Sequence, residues 1–182
     1  MLHRSKGIKS TCDRLMLRLT LLLFTCSPLS ALANNNLSYS DLRPMDVILA
    51  DFLAEPDPQS LSYASIRCAA LTATIAAYFD NGLDPKAKQQ AETLMKYGET
   101  FVSIAGRLAK NGLTITDEVT NEIDGWISES LETQSKIIID RLNLNSIRHG
   151  SGFAKDPEVN RDLEACSNLY FMMKASAESN PQ

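Results

Sequence analysis

Leu61-Ser62-Tyr63-Ala64-Ser65-Ile66-Arg67-Cys68-Ala69-Ala70-Leu71-Thr72-Ala73-Thr74-Ile75-Ala76-Ala77-Tyr78 carries Leu61, Ala64, Cys68, Leu71, Ile75 and Tyr78 at alternating spacings of 3 and 4. That rhythm lines them along one side of an α-helix and predicts a seam facing other helices. The helix is expected to start near Ser60. It should end at Asp80-Asn81-Gly82, where Asn81 or Gly82 can take the left-handed cap conformation.

The same rhythm continues on both sides of this stretch. Upstream, a short helix is expected to open at Ser40, tolerate Pro44 in its first turns, and present Met45, Ile48, Leu49 and Phe52 on one face. Glu55-Pro56-Asp57-Pro58 stops it, because two prolines in three positions remove donors and push their predecessors out of the helical region. Downstream, Asp84-Pro85 supplies an N-cap and a first-turn proline for a helix with Ala87, Ala91, Leu94, Gly98, Phe101, Ala105 and Leu108 on one face. The small residues in that stripe allow a neighbouring helix to come close.

Thr116-Asp117-Glu118 opens the longest helix, with Val119, Ile123, Trp126 or Ile127, Leu131, Gln134, Ile138 and Leu142 inward and an end near Asn145. Arg148-His149-Gly150-Ser151-Gly152 has the composition of a loop. Asp156-Pro157-Glu158 then repeats the cap-plus-proline signal for a last helix bearing Val159, Leu163, Cys166, Tyr170, Met173 and Ala177. Four long amphipathic helices with short connections predict an all-α fold: an up-and-down antiparallel four-helix bundle with a short additional N-terminal helix.

The first 33 residues read differently. Basic residues Arg4, Lys6, Lys9, Arg14 and Arg18 precede the apolar run Leu19–Cys26, then Pro28 and Ala31-Leu32-Ala33. This is the layout of a secretory leader with a small-x-small cleavage site, and the apolar run is too short to cross a bilayer. The expected organisation is a cleaved signal peptide over 1–33 and one helical domain over 34–182, exported to the periplasm or the extracellular space. Five basic residues and one acidic residue depart with the leader, taking the formal charge from −4 to −8. An acidic surface repels phosphates and anionic lipid, which excludes nucleic acid as an expected partner, and no later segment has the length and apolarity of an integral membrane span.

Of four cysteines only Cys68 and Cys166 follow the leader. Both fall on inward faces, one in the first and one in the last long helix, and in an oxidising compartment they are expected to form a disulfide.

No constellation of catalytic residues stands out, so the chain is not expected to be an enzyme. His149 is the one histidine after the leader, and there is no Cys-x-x-Cys-His for haem and no Glu-x-x-His for a diiron centre, so neither cofactor nor metal is expected. Ser151 two residues from His149 in a glycine-rich loop lacks a third orienting group. The carboxylates Asp117, Glu118, Glu122, Asp124, Glu129 and Glu132 fit a solvated helix face. What remains are contact residues for a partner: Trp126, Arg148, His149, Tyr170, Phe171 and Met173. The expected function is a non-catalytic protein-interaction or envelope-maintenance module. The alternative is a carrier of a small apolar ligand, with a pocket between helices lined by small residues of the Asp84-Pro85 helix and by Tyr170 and Met173.

Overall fold

Among the described residues, three of five α-helices begin at an Asp-Pro pair, and the physics of the first turn explains each. A computed structural model describes residues 38–80, 84–150, 152 and 155–179. It contains a 3-10 turn at Tyr39–Asp41 and helices α1 (Met45–Ala54), α2 (Pro58–Asp80), α3 (Pro85–Ala109), α4 (Asp117–His149) and α5 (Pro157–Ser179). No strand occurs among the described residues. The leader over 1–33, the Asn81-Gly82 cap and Ser151 lie outside them.

Asp57 accepts from the backbone N–H of Gln59 at 3.2 Å and of Ser60 at 2.8 Å. Asp84 accepts from Lys86 N–H at 3.0 Å, and Asp156 from Glu158 N–H at 3.0 Å and Val159 N–H at 3.2 Å. In each case the carboxylate satisfies donors the helix itself cannot, while proline stands at the one position that needs no donor. Asp57-Pro58 therefore starts α2 as well as ending α1, two residues earlier than the sequence pattern suggests. Thr116 does the same for α4 through Val119 N–H at 3.2 Å.

Two further boundaries differ from expectation. Pro44 precedes α1 instead of lying inside it, because the chain makes a 3-10 turn first and Pro44 takes the extended backbone of an N-cap. α4 runs on to His149, so Arg148 and His149 belong to its last turn and not to a loop. Gly150, at φ 71°, closes it in the left-handed conformation, with its N–H donated to Ser146 O at 2.9 Å. Arg148 at the C-terminal end also suits the helix dipole.

α2 is buried not along a seam but all round, without interruption from Ala64 to Ala76. It packs against each of the other four helices, most extensively against α3 and next against α4. Its small side chains permit this. Ser62 Oγ donates to Ala105 O on α3 at 3.0 Å, and a Cβ at Gly98 would stand 3.2 Å from Thr72 Oγ1, so α2 and α3 approach closely and run in opposite senses. Ala91, Gly98 and Ala105, seven residues apart, form the buried small-residue line on α3. α4 contributes Ile127, Leu131, Ile138 and Leu142 to the core, and α5 contributes Val159, Cys166 and Leu169. Hydroxyls inside α2 turn back on the helix, as Ser65 donates to Leu61 O at 2.8 Å and Thr72 to Cys68 O at 2.8 Å.

Cys68 Sγ and Cys166 Sγ stand at disulfide distance, 2.04 Å, with the Cα atoms 5.4 Å apart. Both residues are buried. The pair links α2 to α5 across a sequence separation of 98.

Candidate functional site

A cleft large enough for a ligand is found among the described residues. It measures about 610 Å³, is open to solvent, and lies between α2, α3 and α5. Ile75 and Phe79 of α2, Leu94 of α3 and Leu163 of α5 make an apolar floor; Lys86, Gln89, Gln90 and Thr93 of α3 make the rim. The rim residues are exposed, whereas Ile75 is fully buried and Leu94, Phe79 and Leu163 are half-buried. Volume and lining fall within the usual range for small-molecule sites, roughly 300–1,000 Å³ with few polar groups.

The walls are held by a polar node deeper in the fold. Arg67 of α2 and Asp162 of α5 are each 1% exposed and form an ion pair. Asp162 also accepts from Tyr39 Oη at 2.7 Å and from Met45 N–H, a free donor of α1's first turn, at 3.1 Å. Arg67 donates a second hydrogen bond to Arg43 O. One carboxylate thereby joins α5, α2, the N-terminal turn and α1, which makes its burial tolerable.

The Tyr39 ring lies between two guanidinium groups, with Arg67 Cζ 5.4 Å and Arg141 Cζ 5.7 Å from its centroid. Burial, the Asp162 charge and the hydrogen bond to Asp162 all push its phenol pKa upward, against a smaller opposite pull from Arg67.

Arg141 extends the node to the α5 cap. Its Nε donates to Asp156 Oδ2 at 2.6 Å and its Nη2 to Oδ1 at 3.2 Å, while Asn145 Nδ2 also donates to Oδ2. Arg141 Nη2 stands 3.1 Å from Glu158 Oε2, an ion pair without hydrogen-bond alignment. Burial alone would raise the Asp156 pKa. The hydrogen bonds from Arg141, Asn145 and Val159 N–H, with the Arg141 charge, outweigh it and hold the carboxyl at about 2. The hydrogen bond to Asp156 in turn raises the Arg141 pKa, against a smaller effect of burial.

The residues singled out from sequence do not converge. Trp126 is exposed in the first third of α4, because Ile127 beside it turns inward. Arg148 and His149 are exposed at the far end of the same helix, some 22 residues and about 33 Å away along the axis. Tyr170 packs its ring 4.2 Å from that of Tyr97 and edge-on to Phe101 at 6.2 Å, joining α5 to α3. Phe171 stands edge-on to Tyr170 at 5.7 Å but is 57% exposed, and Met172 beside it is exposed too. Met173 is half-buried. Neither Tyr170 nor Met173 lines the cleft, which sits nearer the start of α5 than the expected pocket. The six carboxylates from Asp117 to Glu132 are exposed, as expected of a solvated face.

Sequence reasoning passed over Arg67, Asp162, Tyr39 and Arg141, and reads Asp156 as a helix cap alone. A signal was present for the first, since Arg67 is the one charged residue in 61–79 and adjoins the inward Cys68. Among the described residues no group of three or more His, Cys, Asp or Glu side chains converges on a common point, and no helix is long and apolar enough to cross a membrane. No protein-family model, curated protein or solved structure matches this chain.

Proposed function

We propose that this is an exported, non-catalytic binding protein that carries an apolar ligand in the cleft between α2, α3 and α5. The observation that supports this most is the cleft itself: about 610 Å³ with a floor of Ile75, Phe79, Leu94 and Leu163 and a rim of amides, a hydroxyl and one ammonium. Export rests on the basic, apolar and Ala31-Leu32-Ala33 succession, and a buried cysteine pair at disulfide distance is compatible with it. In this reading the four long helices alternate in direction along the chain. The opposed senses of α2 and α3 support that, as do the Tyr63–Gln134 and Tyr78–Asn143 hydrogen bonds, which align α2 with α4 in the same sense.

Native mass spectrometry of protein purified from its own envelope fraction tests the proposal. The expected result is an adduct of a few hundred daltons that disappears on denaturation and is absent from Leu163→Gln. A bare polypeptide mass at every collision energy counts against it. N-terminal sequencing of the same sample should begin near Asn34; a start at Met1 or Leu2 would overturn the export claim.

A second reading, a protein-interaction or envelope-maintenance module, is supported by the exposed Phe171 and Met172 beside the Tyr170 cluster. It predicts a protein crosslinked through α5 that is lost in Phe171→Ser and retained in Leu163→Gln.

A further inference from the structure

We infer that the cleft takes a long-chain carboxylate, the acyl chain on Ile75, Phe79, Leu94 and Leu163 and the carboxylate against the Lys86 ammonium. This rests on the reading of the cleft as a ligand site and adds the chemical class of the ligand.

Charge complementarity carries the argument. Among the described residues lining the cleft Lys86 is the one that carries a charge, and it takes part in none of the ion pairs found among the described residues. The carboxylate closest to it in sequence, Asp84, has Oδ1 engaged with the Lys86 backbone N–H as the α3 cap. No acidic side chain is among the described residues lining the cleft, so an anionic head meets no like charge from them, whereas a cationic head would face Lys86. Gln89, Gln90 and Thr93 add donors beside the ammonium on the same rim.

The remainder of the lining is hydrocarbon, which fits a ligand with one polar end and an unbranched apolar body. The chain as a whole has a formal charge of −4, so long-range steering does not draw anions in. Recognition of the head is therefore local, and the apolar floor supplies most of the affinity.

Titration calorimetry of the full chain with three probes of equal chain length, each below its micellar concentration, tests this. The probes are dodecanoate, dodecyl maltoside and dodecyltrimethylammonium. Dodecanoate should bind tightest, and Lys86→Gln should lower its affinity by up to about fivefold, the upper end for an exposed ion pair, with dodecyl maltoside unchanged. Leu163→Gln should weaken all three. Thr93→Trp, which fills the mouth from an exposed position, serves the same end should Leu163→Gln lose helicity. Equal binding of the three heads with Lys86→Gln silent overturns the carboxylate assignment and leaves the cleft as an apolar site. Failure of all three probes to bind overturns both.

Discussion

Arg67 and Asp162 pair in the interior one residue and one helical turn away, respectively, from Cys68 and Cys166, so an ionic and a sulfur contact join α2 to α5 at the same level. The two contacts differ in what breaking them does. Removing Asp162 leaves a buried guanidinium without its counter-charge, and Asp162→Ala should cost about 3–5 kcal/mol. The double variant Arg67→Met with Asp162→Leu should lose less than the two single losses together, by about 1–3 kcal/mol. Urea unfolding at pH 7 measures this, and strict additivity would show that the pair is not coupled.

Alkaline stability should be limited by Tyr39. Its phenol pKa is raised in the folded protein, so its contribution is complete below the ordinary tyrosine value near 10 and is lost as pH rises above it, where the unfolded chain releases the proton first. Unfolding midpoints of the native chain should fall from about pH 10 upward. Tyr39→Phe should be about 1 kcal/mol less stable at pH 7 and show a flatter decline. Parallel alkaline curves for the two proteins would refute the assignment.

Acid stability should depend on Asp156. Its carboxyl is depressed from 3.8 to about 2, so stability from this group is present above pH 4 and lost as pH falls through the folded value. The contribution is about 2 kcal/mol at neutral pH. Asp156→Asn should remove most of that at pH 7 and almost none at pH 1.5, by thermal melts across the range. An equal loss at both pH values would show that the charge is irrelevant and only the cap shape counts.

Cys68→Ser should destabilise the protein by about 2–5 kcal/mol, the usual loss for a bond that closes a long loop, and here the hydroxyl would also sit in a fully buried position. Peptide mapping without reductant should recover Cys68 and Cys166 in one linked pair. Recovery of two free thiols from freshly purified protein would refute the link.

Helix identity was readable because it depends on local rules. The 3-and-4 spacing of Leu61 through Tyr78, the Asp-Pro starts at 84 and 156, and the inward positions of Cys68 and Cys166 are set by neighbours in the chain. Asp162 was not readable, because on α5 it looks like any exposed acid; its role exists only where Tyr39, Met45 and Arg67 arrive from distant segments. The lining of the cleft was not readable for the same reason: a pocket between helices is expected from the sequence, but Leu94 and Leu163 fit a core stripe equally well, and only the packing of α2, α3 and α5 leaves them half-buried along a cleft. The periodicity of α2 was read too narrowly, since a helix of small residues can bury its whole circumference and a seam is merely the best-aligned part of it.

That circumference makes α2 a shared spine whose burial no single neighbour completes. A fragment ending before Pro157 would strip one side of a helix whose one charged residue in 61–79 is Arg67, already deprived of Asp162. Such a piece has no alternative way to hide its surface and should associate with other chains before it folds alone. The protein is therefore divisible in sequence but not in space: shortening it by one helix yields not a smaller domain but an aggregating one.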